Sequence, residues 1–138
     1  MVINIVSNAT KGSDINVNIT KIPPSEFEVM KIIWNSDEAV SSRDAIEALE
    51  MIKGWKRTTV LTLLSRLVQK GFLGAEKIKR YTYYTAMVNK DEYLRFETEL
   101  FFKNIHDSSL KSLITTLNSC NILCKEDTEN IKNLIKVI

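Results

Sequence analysis

The sequence predicts a mainly α protein with one small β-hairpin, and three observations predict it. Apolar residues recur at helical spacing in stretches on both sides of the middle of the chain. One interruption, from Phe72 to Thr85, alternates instead and is rich in aromatic and β-branched residues. Pro23-Pro24, Asn35-Ser36-Asp37, Gly54 and Gly71 punctuate the chain where one pattern gives way to the next.

In the first segment, residues 1–20, Val and Ile alternate among Asn, Ser and Thr. It could pair as a loose strand, but the expectation is a frayed, partly disordered arm with no chemistry of its own. Pro23-Pro24 closes the arm, and Ser25 followed by Glu28 reads as a capping box that opens the first helix. Phe27, Met30, Ile33 and Trp34 then repeat on one face, which is core. Ser41-Ser42-Arg43-Asp44 is a second start signal, with Ala45, Ile46 and Leu49 as the apolar stripe of a short helix. Lys53-Gly54-Trp55 breaks it.

The stretch from Lys56 to Gly71 organises the rest. At about 100° per residue, Val60, Leu61, Leu63, Leu64, Leu67 and Val68 share one arc, and Thr58, Thr59, Thr62, Ser65, Arg66 and Gln69 fill the other. Lys56 and Arg57 stand at its start, where the helix dipole prefers anions, so something outside the helix should favour them there. No acidic residue occurs in the stretch, whereas a solvated face ordinarily mixes signs. Gly71 stops the helix. A solvated basic face is the commoner explanation of such a helix taken alone. The sequence around it shifts the balance towards a polyanion, and the long polyanion it suggests is DNA.

The net charge of +2 conceals an asymmetry. Lys53 to Arg80 holds eight cations against the single anion Glu76, while residues 1–52 and 91–138 carry more acids than bases. After Gly71, Phe72 to Glu76 and Tyr81 to Thr85 read as two strands joined by Lys77-Ile78-Lys79-Arg80, a tip with three cations. Helix, short helix, turn and basic helix is the order of a helix-turn-helix, and a basic hairpin directly after it is a wing. Residues 21–88 are therefore expected to form a winged helix. Arg66 is the candidate for a guanine contact, with Thr58, Thr59 and Thr62 beside it. Ser41, Ser42, Lys56, Arg57, Lys77, Lys79 and Arg80 complete the expected DNA surface, the cations holding phosphates.

From Asp91 the pattern is helical again in three pieces. Tyr93, Phe96 and Leu100 form one stripe, Leu110, Leu113, Ile114 and Leu117 a second, and Ile131, Leu134 and Ile135 a third. A helical segment of this size, residues 89–138, hides too little apolar surface by itself. A second copy of the chain is the expected partner, making these residues the candidate dimerisation face and presenting two recognition helices to two half-sites.

No apolar run approaches the roughly 20 residues that span a bilayer, so membrane insertion is not expected and a cytoplasmic location is. Two cysteines make no disulfide framework. With one histidine and no Gly-rich phosphate loop or nucleophile-base pattern, the chain carries no enzymatic constellation and implies no cofactor. Cys120 and Cys124 are a single Cys-x3-Cys, which would need a partner subunit or His106 to complete a tetrahedral metal site. Two small apolar loop residues is the simpler reading, and His106 reads as a helix-end residue.

The run Ser25 to Trp34, the run Trp55 to Gly71 and Tyr83-Tyr84-Thr85 together resemble the penicillinase-repressor (BlaI/MecI) family of bacterial transcriptional repressors. The resemblance covers about half the chain in residues and the C-terminal helices in pattern. It implies a homodimer with an N-terminal winged helix on a palindromic operator, a C-terminal dimerisation domain, and control of a β-lactam-resistance or related stress operon. Thr59, Thr62 and Arg66 match the positions that face the major groove in that family.

Three positions depart from the family pattern. Thr58 stands where lysine is frequent, and Lys79 where the wing turn commonly has glycine. Resistance-type members are inactivated by a regulatory protease at an Asn-Phe bond, which here corresponds to Thr116-Leu117. Two alternatives stand beside the repressor reading: a winged helix used for protein contact, and a metal-responsive repressor using Cys120 and Cys124.

Overall fold

The structure is a computed structural model and describes Ile3–Ile5 and residues 17–137. It has two compact units, residues 1–96 and 97–138. In the first, the order is β1 (Ile3–Ile5), β2 (Val17–Ile19), α1 (Pro24–Trp34), β3 (Val40–Ser41), α2 (Ser42–Lys53), α3 (Arg57–Gln69), β4 (Leu73–Ile78) and β5 (Tyr81–Ala86). Helix α4 (Lys90–His106) begins in the first unit and ends in the second, followed by α5 (Leu110–Ser119) and α6 (Lys125–Val137).

Of the arm expected over residues 1–20, residues 1–2 and 6–16 lie outside the described residues. The remainder takes the loose-strand pairing that the alternation also allows. Strands β1 and β2 pair antiparallel with Ile3 opposite Ile19, and Ile19 is 1% exposed. An isoleucine that leaves water so completely contributes about 1.5–3 kcal/mol.

Helix α1 starts one residue before the expected cap. Pro24 occupies the first turn, Pro23 is the N-cap, and no side chain caps the helix. The anticipated pairing of Ser25 with Glu28 is thus absent, because proline's fixed φ already sets the first turn and Ser25 lies inside it. Glu28 instead meets Lys31 at 2.9 Å and Lys53 at 3.7 Å, and the bond from Lys31 leads the causes that hold its carboxyl below the usual glutamate range.

Helix α2 has the cap the sequence announces: Ser41 Oγ accepts from the Asp44 backbone N–H at 3.1 Å. Gly54 ends it at φ 67°, in the left-handed region that side chains disfavour. Its apolar side, Ala45 and Leu49, meets Val60, Leu63, Leu64 and Leu67 of α3 and Val29, Met30 and Ile33 of α1 in one buried core.

The sheet has three strands where the sequence suggests two. Its order is β3-β5-β4, antiparallel throughout, with Val40 opposite Tyr84, Ser41 opposite Tyr83, and Ile78 opposite Tyr81. Phe72 stays out of β4. It is fully buried, and its backbone N–H donates to Leu67 O at 2.9 Å, closing the end of α3. Tyr84 packs inward from β5, and burial pushes its phenol above the usual range.

Tyr93, near the start of α4, is the hub of an aromatic cluster. Phe27, Trp34, Phe72 and Phe96 all place their ring centres 5.6–6.1 Å from it. Its hydroxyl accepts the Ile22 N–H at 3.0 Å, and Trp34 Nε1 donates to Val88 O at 2.9 Å. Buried polar atoms in this cluster are thereby satisfied, which apolar burial alone would not achieve.

Candidate nucleic-acid interface

Helix α3 divides as its sequence predicts. Val60, Leu63, Leu64 and Leu67 are at most 4% exposed, whereas Thr58, Thr59, Thr62, Ser65, Arg66 and Gln69 are all exposed. Leu61 and Val68 are half-buried at the edges of the apolar arc. Lys56 is the N-cap and makes no side-chain capping bond, and the first turn holds no acid. The helix therefore presents free backbone N–H groups and two cations together, a combination that favours an anion. The Thr62 hydroxyl donates to Thr58 O at 2.9 Å, so its hydrogen is occupied and its methyl group and lone pairs remain for contact.

The hairpin tip is tighter than expected. Lys77 lies within β4 opposite Thr82, and only Lys79 and Arg80 form the turn. Lys79 has φ 58°, a left-handed conformation that glycine adopts without strain. Lys77, Lys79 and Arg80 are all exposed.

Ser41 is the least accessible of the expected DNA contacts: it is 7% exposed, and its oxygen accepts the α2 cap bond while its hydroxyl hydrogen is not used in it. Ser42 is half-buried and lines an open groove of about 410 Å³ with Arg43, Ile46, Glu47, Arg57, Arg80 and Tyr81. Arg43 Nε donates to Glu47 Oε1 at 3.1 Å; Glu47 first, and the Tyr81 hydroxyl after it, raise the guanidinium above its usual range. Sequence reading missed Arg43, Glu47 and Tyr81 at this surface, because α2, α3 and the hairpin meet here only through the tertiary fold.

The expected dimerisation residues separate into two groups. Tyr93 and Phe96 are each 1% exposed within the aromatic cluster of their own chain, which corrects their placement at an intersubunit face. Leu100, Leu113, Ile114, Leu117 and Ile131 are half-buried, while Leu110, Leu134 and Ile135 are 60–63% exposed. No described residue of α5 or α6 is buried. On α4 the exposed apolar residues are Leu94, Phe101 and Ile105. The sequence shows apolar residues on more than one side of α4 and does not say which side its own core covers.

His106 ends α4, with Nδ1 2.9 Å from Ser112 Oγ and its ring edge-on to Phe101 at 5.0 Å. Cys120 and Cys124 are both exposed, and Cys124 Sγ donates to Asp127 Oδ2 at 3.1 Å. Among the described residues, no three His, Cys, Asp or Glu side chains gather as a metal site. Among them too, no helix is long and apolar enough to cross a membrane.

A three-helix unit, its exposed polar helix followed by a sheet with a basic hairpin, defines a winged helix-turn-helix protein. The penicillinase repressor family model matches residues 22–137, and the chain belongs to that family. MecI, the methicillin resistance regulatory protein of Staphylococcus aureus strain N315, is 28% identical over 115 residues, covering 83% of this chain and 93% of MecI. An uncharacterized 16.5 kDa protein in the ptsI 3′ region of Latilactobacillus sakei is 39% identical over 112 residues, 77% of this chain and 76% of that protein. The solution structure of the DNA-binding domain of the repressor BlaI aligns with a TM-score of 0.50 at 33% identity, over 53% of this chain and 88% of that domain.

Proposed function

We propose that the chain is a transcriptional repressor that binds a two-fold operator as a homodimer and controls a β-lactam-resistance or related stress operon. The observation that carries this reading is the outer face of α3, where three threonines, a serine, a glutamine and Arg66 stand exposed without an acid. Arg66 reads a guanine by paired donors, Thr58, Thr59 and Thr62 meet neighbouring bases, and Lys56, Arg57, Lys77, Lys79 and Arg80 hold phosphates. The exposed apolar residues of α4, α5 and α6 support pairing with a second copy, since monomers seldom leave such surface uncovered. A repressor of this kind acts in the cytoplasm, where its operator would be.

Derepression by a regulatory protease at Thr116-Leu117 requires that α5 first unwind, because both residues lie inside that helix. The Thr116 hydroxyl donates to Ser112 O at 2.8 Å, one more bond that opening must break.

Selection of bound sequences from a random duplex pool at near-physiological salt tests the proposal. A palindrome with fixed half-site spacing is the expected result. Recovery of sequence-blind, salt-sensitive binding alone would overturn it and favour a winged helix that meets an acidic protein instead.

A further inference from the structure

Three arginines from three different elements line the groove described above: Arg43 on α2, Arg57 at the start of α3, and Arg80 in the hairpin turn. Glu47 is the one carboxylate among the lining residues, so the groove carries an excess of two positive charges. Ser42 and Arg57 are the first residues of α2 and α3, so the positive ends of two helix dipoles border the same space. Cations and dipole ends that converge in this way repel one another until an anion sits between them.

We propose that this groove is a built phosphate site that clamps one backbone phosphate of duplex DNA between the helix-turn-helix and the wing, with Arg43 as a contact residue and Tyr81 beside it. The inference rests on the DNA-binding reading and extends it along α2, from Ser42 on the expected DNA surface to Arg43. Arg43 is prepared for the role. Its Nε donates to Glu47 Oε1 in an exposed i,i+4 pair that biases the guanidinium towards the groove beside the Tyr81 hydroxyl, with terminal N–H groups still able to meet phosphate oxygens. Ile46 and the Tyr81 ring supply an apolar lining, so a bound phosphate would shed water on that side.

The experiment uses the full chain and a labelled duplex recovered by the selection, or a mixed-sequence duplex, with affinity measured over a series of salt concentrations. Arg43→Gln is expected to weaken binding to every duplex by about tenfold at near-physiological salt. It should also make the plot of log affinity against log salt shallower by about 0.9, the signature of one lost phosphate contact. Glu47→Gln separates contact from scaffold: it should tighten binding by removing the one negative charge. A loss in Glu47→Gln equal to that of Arg43→Gln would overturn the proposal, because the ion pair alone would then matter. An unchanged salt slope in Arg43→Gln would overturn it too, whereas failure of the unaltered protein to bind any duplex would instead remove the DNA-binding reading.

Inorganic phosphate, added against sodium chloride at equal ionic strength, distinguishes the source of the anion. Equal displacement of DNA by the two salts supports a DNA phosphate as the occupant. Stronger displacement by phosphate that vanishes in Arg43→Gln would assign the groove to a free phosphate and overturn the commitment to the backbone.

Discussion

The carboxylate of Glu26, on α1, accepts a hydrogen bond from the Lys70 ammonium at 2.5 Å, joining the first helix to the residue that closes the third. Glu26 is 1% exposed and Lys70 35%, so the pair lies at the edge of the core with its acid inside. Lys70→Met leaves a buried carboxylate without its cation and is expected to lower stability by about 2–3 kcal/mol. Replacing both partners, Glu26→Met with Lys70→Met, should recover most of that loss, because the buried charge is gone as well. Urea denaturation of the two variants checks this, and equal losses in both would show that the pair's charge is not what matters.

Base reading and phosphate holding make opposite demands on specificity. Arg66→Ala should cost about 1–3 kcal/mol on the selected duplex and relax preference at one base position. Lys77→Ala should weaken all duplexes alike. A uniform loss from Arg66→Ala would make Arg66 a phosphate contact instead.

Thr62 offers a finer test of the same face. Since its hydroxyl hydrogen is given to Thr58 O, Thr62→Val should retain affinity within about threefold, while Thr62→Ala, which also removes the methyl, should lose more. Equal losses in the two variants would point to the oxygen as the group that DNA needs.

The hairpin turn sets charge against backbone ease. Lys79→Gly relieves the φ 58° conformation and should raise thermal stability by about 1 kcal/mol while weakening DNA binding through loss of a cation. Melting curves and binding isotherms on one preparation would reveal whether the two move in opposite directions.

Leu134 is 63% exposed in the single chain, so its replacement barely touches the chain's own packing. Leu134→Asp is expected to keep the helical circular dichroism yet weaken dimerisation on the order of a hundredfold or more, each subunit losing one buried leucine. Leu113→Asp should act in the same direction. A full dimer by sedimentation in both variants would place the interface elsewhere.

Acid should reach the Glu28–Lys31 pair of α1 late, at a pH lower than an ordinary glutamate requires. The Lys31 bond is foremost in depressing the Glu28 carboxyl, so its contribution to stability is present at neutral pH and is lost as pH falls through that depressed value. An NMR titration of Glu28 should give a midpoint below that of an unstructured glutamate, and Lys31→Met should move it upward. No movement in that variant would disprove the assignment.

Much of this surface was legible in advance because α3 settles its own phase. Its apolar arc is continuous and its polar arc lacks acids, so Thr59, Thr62 and Arg66 could point only outward. The two-residue strand β3 was hidden, since Val40-Ser41 is too short to show alternation and its pairing with β5 is a long-range event. Glu26 was hidden for a related reason: its cation is distant in sequence, and nothing local distinguishes it from a solvated helix glutamate. Tyr93 and Phe96 looked like interface because a stripe on a helix records that it will be covered, not by what.

Ser41 belongs to two hydrogen-bonded systems at once, pairing with Tyr83 in the sheet and capping α2 through its side chain. The wing and the helix-turn-helix are therefore tied at Ser41; bending the hairpin there pulls on the first turn of α2. On DNA such a unit behaves as a caliper of fixed gap. A duplex whose flanking backbone lies slightly too near or too far is then expected to bind less well to the whole unit, even where every base is correct.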